Sequence, residues 1–149
     1  MGIIRRFNKN DLKEFTKLIE EKEDSKVNCD NYLKQVIAGY DKQDWEHEIA
    51  ICNENNKVIG SIYLEQNGKD NYILGIYILK EYRSKGFGFK ALKSLLGNTE
   101  FGIECSVYKD NTHSNNLIEK IKYTEKRDDG GEIYSYTIRE CKELDMEDF

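Results

Sequence analysis

Apolar residues recur at two spacings along this chain, and the switches between them mark out its elements. Leu12, Phe15, Leu18 and Ile19 fall on one helical face, with Asn10 or Asp11 placed to cap it. A polar run from Glu20 to Asn28 interrupts, and a second helix from Asp30 turns Tyr32, Leu33, Val36 and Ile37 inward. Strand-like runs cover Gly2 to Phe7, Glu48 to Asn53, Lys57 to Gln66 and Tyr72 to Leu79. Asn55-Asn56 suits a hairpin turn because Asn tolerates positive φ, and Asn67-Gly68-Lys69-Asp70 suits another. A helix over Phe89 to Leu96 ends at Gly97, a strand follows over Phe101 to Tyr108, and a short helix over Thr112 to Ile121 takes Asn111 or Thr112 as its cap. Two last strands flank Asp128-Asp129-Gly130-Gly131. The order is strand, two helices, three strands, helix, strand, helix, two strands. It predicts an α/β (mixed α+β) fold, one mixed sheet with helices covering its faces.

Composition narrows the setting. With 149 residues, no repeat and no linker, the chain is expected to form one domain over 1–140, with 141–149 as an acidic, exposed tail. Aromatic residues at 11% make a packed core feasible despite 34% charged residues. No window reaches the length of a membrane span and the N-terminus has no signal-peptide core, so a soluble cytoplasmic protein with no membrane partner is the default. Cys29, Cys52, Cys105 and Cys141 are far apart and form no C-x-x-C pair, which argues against a metal site or a disulfide scaffold and for buried thiols. A net charge of −5 disfavours nucleic acid as partner.

One stretch carries chemistry. Arg83-Ser84-Lys85-Gly86-Phe87-Gly88 joins the strand ending at Leu79 to the following helix. A strand that empties through a basic, glycine-punctuated turn into a helix aims several backbone N–H groups at one spot, where phosphate is favoured. Taken with Ile76 to Tyr82 before it, the stretch resembles the acetyl-CoA motif of the GNAT superfamily of N-acetyltransferases, V-x-P-x-x-R-G-x-G-x-G/A. Ser106 to Tyr123 is similar to that family's second block, V-x-x-x-N-x-x-A/S-x-x-L-Y-E-K-x-G-F. The two blocks occur in the family's order, and the resemblance covers nearly the whole chain. There are three departures. Lys80 stands for a frequent Pro, Lys122 for the Gly before Tyr123, and Ile118 for the Tyr that serves many members as general acid.

The resemblance implies a central, mostly antiparallel mixed sheet and an amine attacking the thioester of acetyl-CoA within a ternary complex. It assigns the pyrophosphate to backbone amides of Ser84, Lys85, Gly86, Phe87, Gly88 and Phe89, with Arg83 and Lys85 adding charge. It assigns the pantetheine to main-chain groups of Ile76 and Ile78 and to Asn111, with Ser114 beside it. Proton handling stays open. Glu104, Ser106 and Tyr108 share one face of a strand, so Glu104 and Tyr108 are the catalytic candidates, with Tyr72 and His113 as further possibilities and His47 as a lone histidine. Cys105 points the other way and is expected in the core. The acceptor, a small-molecule or peptide amine, is expected between the segment holding Glu20, Glu21, Glu23 and Asp24 and the loop holding Asp128, Asp129 and Glu132. Acid on both walls favours a cationic amine such as a polyamine or aminoglycoside-like amine, and an ordinary solvated acidic surface explains it equally well. A monomer or homodimer is expected. The alternative to an enzyme is a non-catalytic acyl-CoA-binding module, motivated by Ile118.

Overall fold

The computed structural model of the chain describes residues 3–23, 28–41, 46–66, 71–97, 102–121 and 124–138. The expected 141–149 tail, with Cys141, lies outside the described residues. The N-terminal strand is β1 (Ile4–Arg6), and a single turn of 3-10 helix at Lys9–Asp11 leads into α1 (Leu12–Glu23). Asn8 does the capping that was expected of Asn10 or Asp11. Its side chain accepts from Asn10 N–H at 2.9 Å, and Asp11 accepts from Asn8 N–H at 2.8 Å. Asp11 can do this while buried because Arg5 donates to both its oxygens, at 2.8 and 2.9 Å.

Asn28 caps α2 (Cys29–Gly39). Then come β2 (Glu46–Cys52), β3 (Val58–Gln66) and β4 (Asn71–Ile78), the first two joined by a turn in which Asn56 has φ 61°. After the basic turn, α3 (Phe87–Gly97) starts two residues earlier than the pattern predicted and includes Gly97. The chain ends with β5 (Gly102–Tyr108), α4 (Thr112–Glu119), β6 (Thr124–Asp128) and β7 (Ile133–Ile138).

The seven strands form one sheet in the order β1-β2-β3-β4-β5-β7-β6. The β4–β5 pair is parallel and every other pair is antiparallel. The last strand thus slots between its two predecessors, which no local pattern announces.

Strand alternation sorts the core into two layers. Ala50, Cys52 and Val58 face α1 and α2 and pack with Phe15, Leu18, Ile19 and Leu33. Ile51, Ile62, Leu64, Ile103, Tyr136 and Ile138 face the opposite side with Ala91, Leu92, Leu95 and Leu96 of α3 and Ile118 of α4. A register shift at Ile51/Cys52 places Cys52 opposite Val58 and Ile51 opposite Gly60, so the extra residue, Ile59, joins the α3 layer.

Gly60 lies opposite Ile78 in the β3–β4 pair, with no room for a side chain. A Cβ there would lie 2.4 Å from the Tyr77 carbonyl oxygen. Gly60→Ala therefore forces the strands apart and is expected to cost about 1–3 kcal/mol, read as a lower urea midpoint at unchanged m-value.

Candidate active site

The two central strands stay together only briefly. Asn71, Tyr72 and Ile73 pair with Gly102, Ile103 and Glu104, and there the ladder stops. Beyond it β4 remains on β3 as far as Ile78, while β5 remains on β7 as far as Tyr108. The strands part, and a cleft of about 1240 Å³ opens between Gly75–Ile78 and Cys105–Tyr108. Leu79 N–H bonds Ile59 C=O at 2.9 Å, on the β3 side. Because main-chain groups alternate along a strand, those of Ile78 and Ile76 point into the opening. The Ile78 carbonyl accepts from Arg83 Nε at 2.9 Å, and the Arg83 guanidinium lies 5.0 Å from the centre of the Tyr77 ring.

The basic turn closes one end of the cleft. Ser84 and Gly86 both have positive φ, 63° and 84°, which coils the chain into α3. Gly86 C=O accepts from Lys90 N–H at 3.1 Å, so the amides that follow it are first-turn donors without an intrahelical partner. Gly88 is pressed against α4, and a Cβ there would come within 3.0 Å of Leu117 Cδ1. Among the described residues, Arg83, His113 and Lys120 are the basic ones lining the cleft, and the one lining carboxylate, Glu119, accepts from Lys126 at 2.6 Å. A protein of net charge −5 thus carries a locally basic cleft. Narrow turn, first-turn amides, open strand edge and positive lining together fit an elongated ligand with a phosphate-rich end. Among the described residues no cluster has the make-up of a metal site.

The residues singled out from the sequence divide in space. Ile76, Ile78, Arg83, Ser84, Gly86, Phe87, Gly88, Phe89, Asn111 and Ser114 all line the cleft, and so does Tyr108. Lys85 is not among the lining residues, and its ammonium lies 5.7 Å from the Tyr82 ring centre. Glu104 is not among them either, since it sits where β4 and β5 are still paired. The Tyr72 side chain falls outside the described residues. Ser106 and His113 are exposed lining residues, whereas His47 stacks on Tyr40, remote from the cleft lining. Ile118 is buried in the core beneath the cleft. Cys105 forms part of the cleft wall and of the core, and burial pushes its thiol up to about 11.

Asn111 is the N-cap of α4, its side chain accepting from Ser114 N–H at 3.2 Å. The sequence reading missed Asn115, one turn on. It is buried and donates from Nδ2 to the carbonyls of Tyr108 and Asn111, both at 3.0 Å, while its Oδ1 accepts from Tyr136 OH at 2.6 Å. The available signal was a polar residue at the core spacing set by Ile118, three residues later.

The acidic walls are largely spoken for. Glu21 Oε1 accepts from Tyr77 OH at 3.0 Å and from Lys80 N–H at 2.7 Å, tying α1 to the start of the turn. Burial and then this carboxylate push the Tyr77 hydroxyl up from its ordinary value. Asp128 pairs with Lys109 at 2.7 Å, and Asp129 with Arg127 at 3.4 Å. Glu20 and Glu132 are exposed, while Asp24 and the Glu23 side chain fall outside the described residues.

Three comparisons bear on this geometry. The family model described as Acetyltransferase (GNAT) family matches residues 12–123. No curated protein sequence matches. Among solved structures, the spermidine N-acetyltransferase of Vibrio cholerae in complex with CoA and spermine superposes with a TM-score of 0.74 at 17% identity, covering 95% of this chain and 97% of that one. A dodecameric structure of spermidine N-acetyltransferase from Vibrio cholerae, in an intermediate state, gives 0.73 at 17% identity, with 95% of each chain covered. A probable acetyltransferase gives 0.73 at 15% identity, with 91% of each chain covered.

Asn115→Ala leaves the buried Tyr136 hydroxyl only a long contact to Glu119 Oε1 at 3.5 Å, and leaves the Tyr108 carbonyl only the Asn111 N–H at 3.0 Å. It is expected to destabilise the fold by about 1–3 kcal/mol, measured by denaturant titration. Adding Tyr136→Phe to it should recover part of that loss, since the poorly satisfied hydroxyl is then gone.

Proposed function

The chain belongs to the acetyltransferase (GNAT) family, and from that premise we propose that it acetylates a primary amine, cationic and of the polyamine class, by direct transfer from acetyl-CoA. Membership makes the protein an acyltransferase with acetyl-CoA as its donor. The observation that carries the placement of the donor is the meeting of an opened strand edge and a positive-φ, amide-rich turn in one basic cleft.

Acetyl-CoA supplies an activated carbonyl and a thiolate leaving group. The protein's residues supply position, charge and protons. First-turn amides from Ser84 to Phe89 would hold the pyrophosphate. The main chain of Ile76 and Ile78 would align the pantetheine as an added strand, with Asn111 and Ser114 on the facing side. An N–H on the β4 edge would stabilise negative charge as it develops on the carbonyl oxygen. The attacking amine gives its proton to water, and Tyr108, a hydroxyl in the cleft, gives one to the departing sulfur in place of the Tyr that Ile118 replaces. Cys105 takes no part as nucleophile, because a thiol held near 11 stays protonated at neutral pH. This favours attack within one complex over an acetyl-cysteine intermediate.

Support for a cationic acceptor comes from the net charge of −5, which steers cations toward the protein. It also comes from exposed Glu20 and Glu132 and from the fold shared with spermidine N-acetyltransferases. Against a strongly acidic pocket stand the basic lining of the cleft and the partners that Glu21, Asp128 and Asp129 already have.

With acetyl-CoA and a panel of polyamines, amino-sugar amines and peptides, release of free thiol is expected first with a polyamine. Binding of acetyl-CoA without turnover on any amine would overturn the proposal. Tyr108→Phe is expected to lower kcat at least about tenfold at little change in KM for acetyl-CoA, and Glu104→Gln to leave kcat within about twofold, given its place outside the cleft. An unaltered kcat in Tyr108→Phe would return the proton to solvent.

A further inference from the structure

Gly75 stands inside β4, where a glycine weakens a strand because it packs nothing and loses the most freedom on folding. The fold gives no reason for it. Its φ is not positive, unlike those of Gly86 and Gly130, and a Cβ built on it would meet only Tyr63 Cβ at 3.7 Å, an ordinary contact. At Gly60, one strand away, the Tyr77 carbonyl forbids a side chain. A strand glycine that neither backbone angle nor packing requires marks a place where a ligand comes close to the main chain.

Its position says which ligand. Ile73 and Glu104 form the last pair of the β4–β5 ladder, so Gly75 and Ser106 come next on that same face of each strand, and both line the cleft where the strands first part. This is the face on which Tyr77 reaches Glu21 of α1. The opposite face is walled by Ile76, Cys105 and Ile118, which join the α3 layer of the core. With the pantetheine along the β4 edge and the pyrophosphate on the turn, the thioester lies at the narrow end of the cleft, beside Gly75. We propose that Gly75 is a specificity-determining residue for the acceptor: the space left by its missing side chain, facing Ser106 across the gap, is the port through which the amine reaches the thioester carbonyl. The inference rests on the acetyl transfer proposed above and adds to it a limit on the acceptor's bulk, which the slim –CH2–NH2 end of a polyamine meets. In the port the nitrogen bonds to the carbonyl carbon as the C–S bond breaks, its proton leaves to water and the sulfur takes one from Tyr108. Gly75 itself enters no proton transfer.

The full chain is assayed for thiol release with spermidine at saturating acetyl-CoA, and acetyl-CoA binding is measured separately by calorimetry. Gly75→Ala is expected to keep or raise the thermal midpoint, since alanine fits there, while kcat/KM for spermidine falls about tenfold. Gly75→Val should lower it about a hundredfold, and Ser106→Val, which narrows the port from β5, should act in the same direction. Affinity for acetyl-CoA should stay within about twofold in Gly75→Ala, a split that a role in strand packing alone would not produce. A lowered midpoint in Gly75→Ala would assign the glycine to the fold and overturn the proposal. So would an unaltered kcat/KM for spermidine in Gly75→Val, or an acetyl-CoA affinity that falls as far as kcat/KM does. Wild type that binds acetyl-CoA yet releases no thiol with spermidine would instead overturn the transfer to a polyamine on which the port rests.

Discussion

A backbone hydrogen-bond ladder that stops in the middle of a sheet is the constraint on which this protein depends. Sheets normally end their ladders at edges facing water. Here the β4–β5 ladder ends after three residue pairs while both strands continue, each still bound to its other neighbour. Beyond that point the main-chain N–H and C=O groups that face the cleft need another partner, because a buried unpaired group costs about 1–3 kcal/mol. The protein meets part of that need from side chains. Arg83 covers the Ile78 carbonyl on one strand, and Asn115 covers the Tyr108 carbonyl on the other. Helices packed on both faces hold the strands at their separation, so the opening is as much a product of the core as of the strands that border it.

Much of the architecture was legible in the chain because it is locally determined. Alternating and helical apolar spacings located the strands and helices to within a few residues, and Asn55-Asn56 and Gly130 marked turns that do adopt positive φ. Boundaries slipped where a cap lay one turn away from the obvious candidate. Asn8 rather than Asn10 opens the first helical segment, because the reciprocal bond with Asp11 needs that spacing. The placement of β7 between β5 and β6 was not legible, since it depends on pairing between residues some thirty positions apart in sequence.

The site divides in the same way. The turn from Arg83 to Phe89 was readable from its basic residues and glycines taken with the strand before it and the helix after it. The side-chain part of the site was not. Asp128 and Asp129 looked like members of an acidic wall until Lys109 and Arg127 appeared as their partners, whereas Glu21 is held in place by uncharged donors, the Tyr77 hydroxyl and the Lys80 main-chain amide. Counting acids along a sequence measures potential charge, whereas the field a ligand meets is what remains after neutralisation. The same subtraction explains why a chain of net charge −5 has a basic cleft, since Glu119 is held by Lys126 there.

The contact between Gly88 and Leu117 joins two segments that read as separate motifs. With no side chain at Gly88, the start of α3 rests directly on α4, and α4 in turn rests on the core through Ile118. The cradle is therefore the outermost layer of the hydrophobic core and inherits that core's stiffness. A methylene gained or lost beneath α4 would tilt the floor of the cleft. A core substitution there would reshape the cleft well before it put the fold itself at risk.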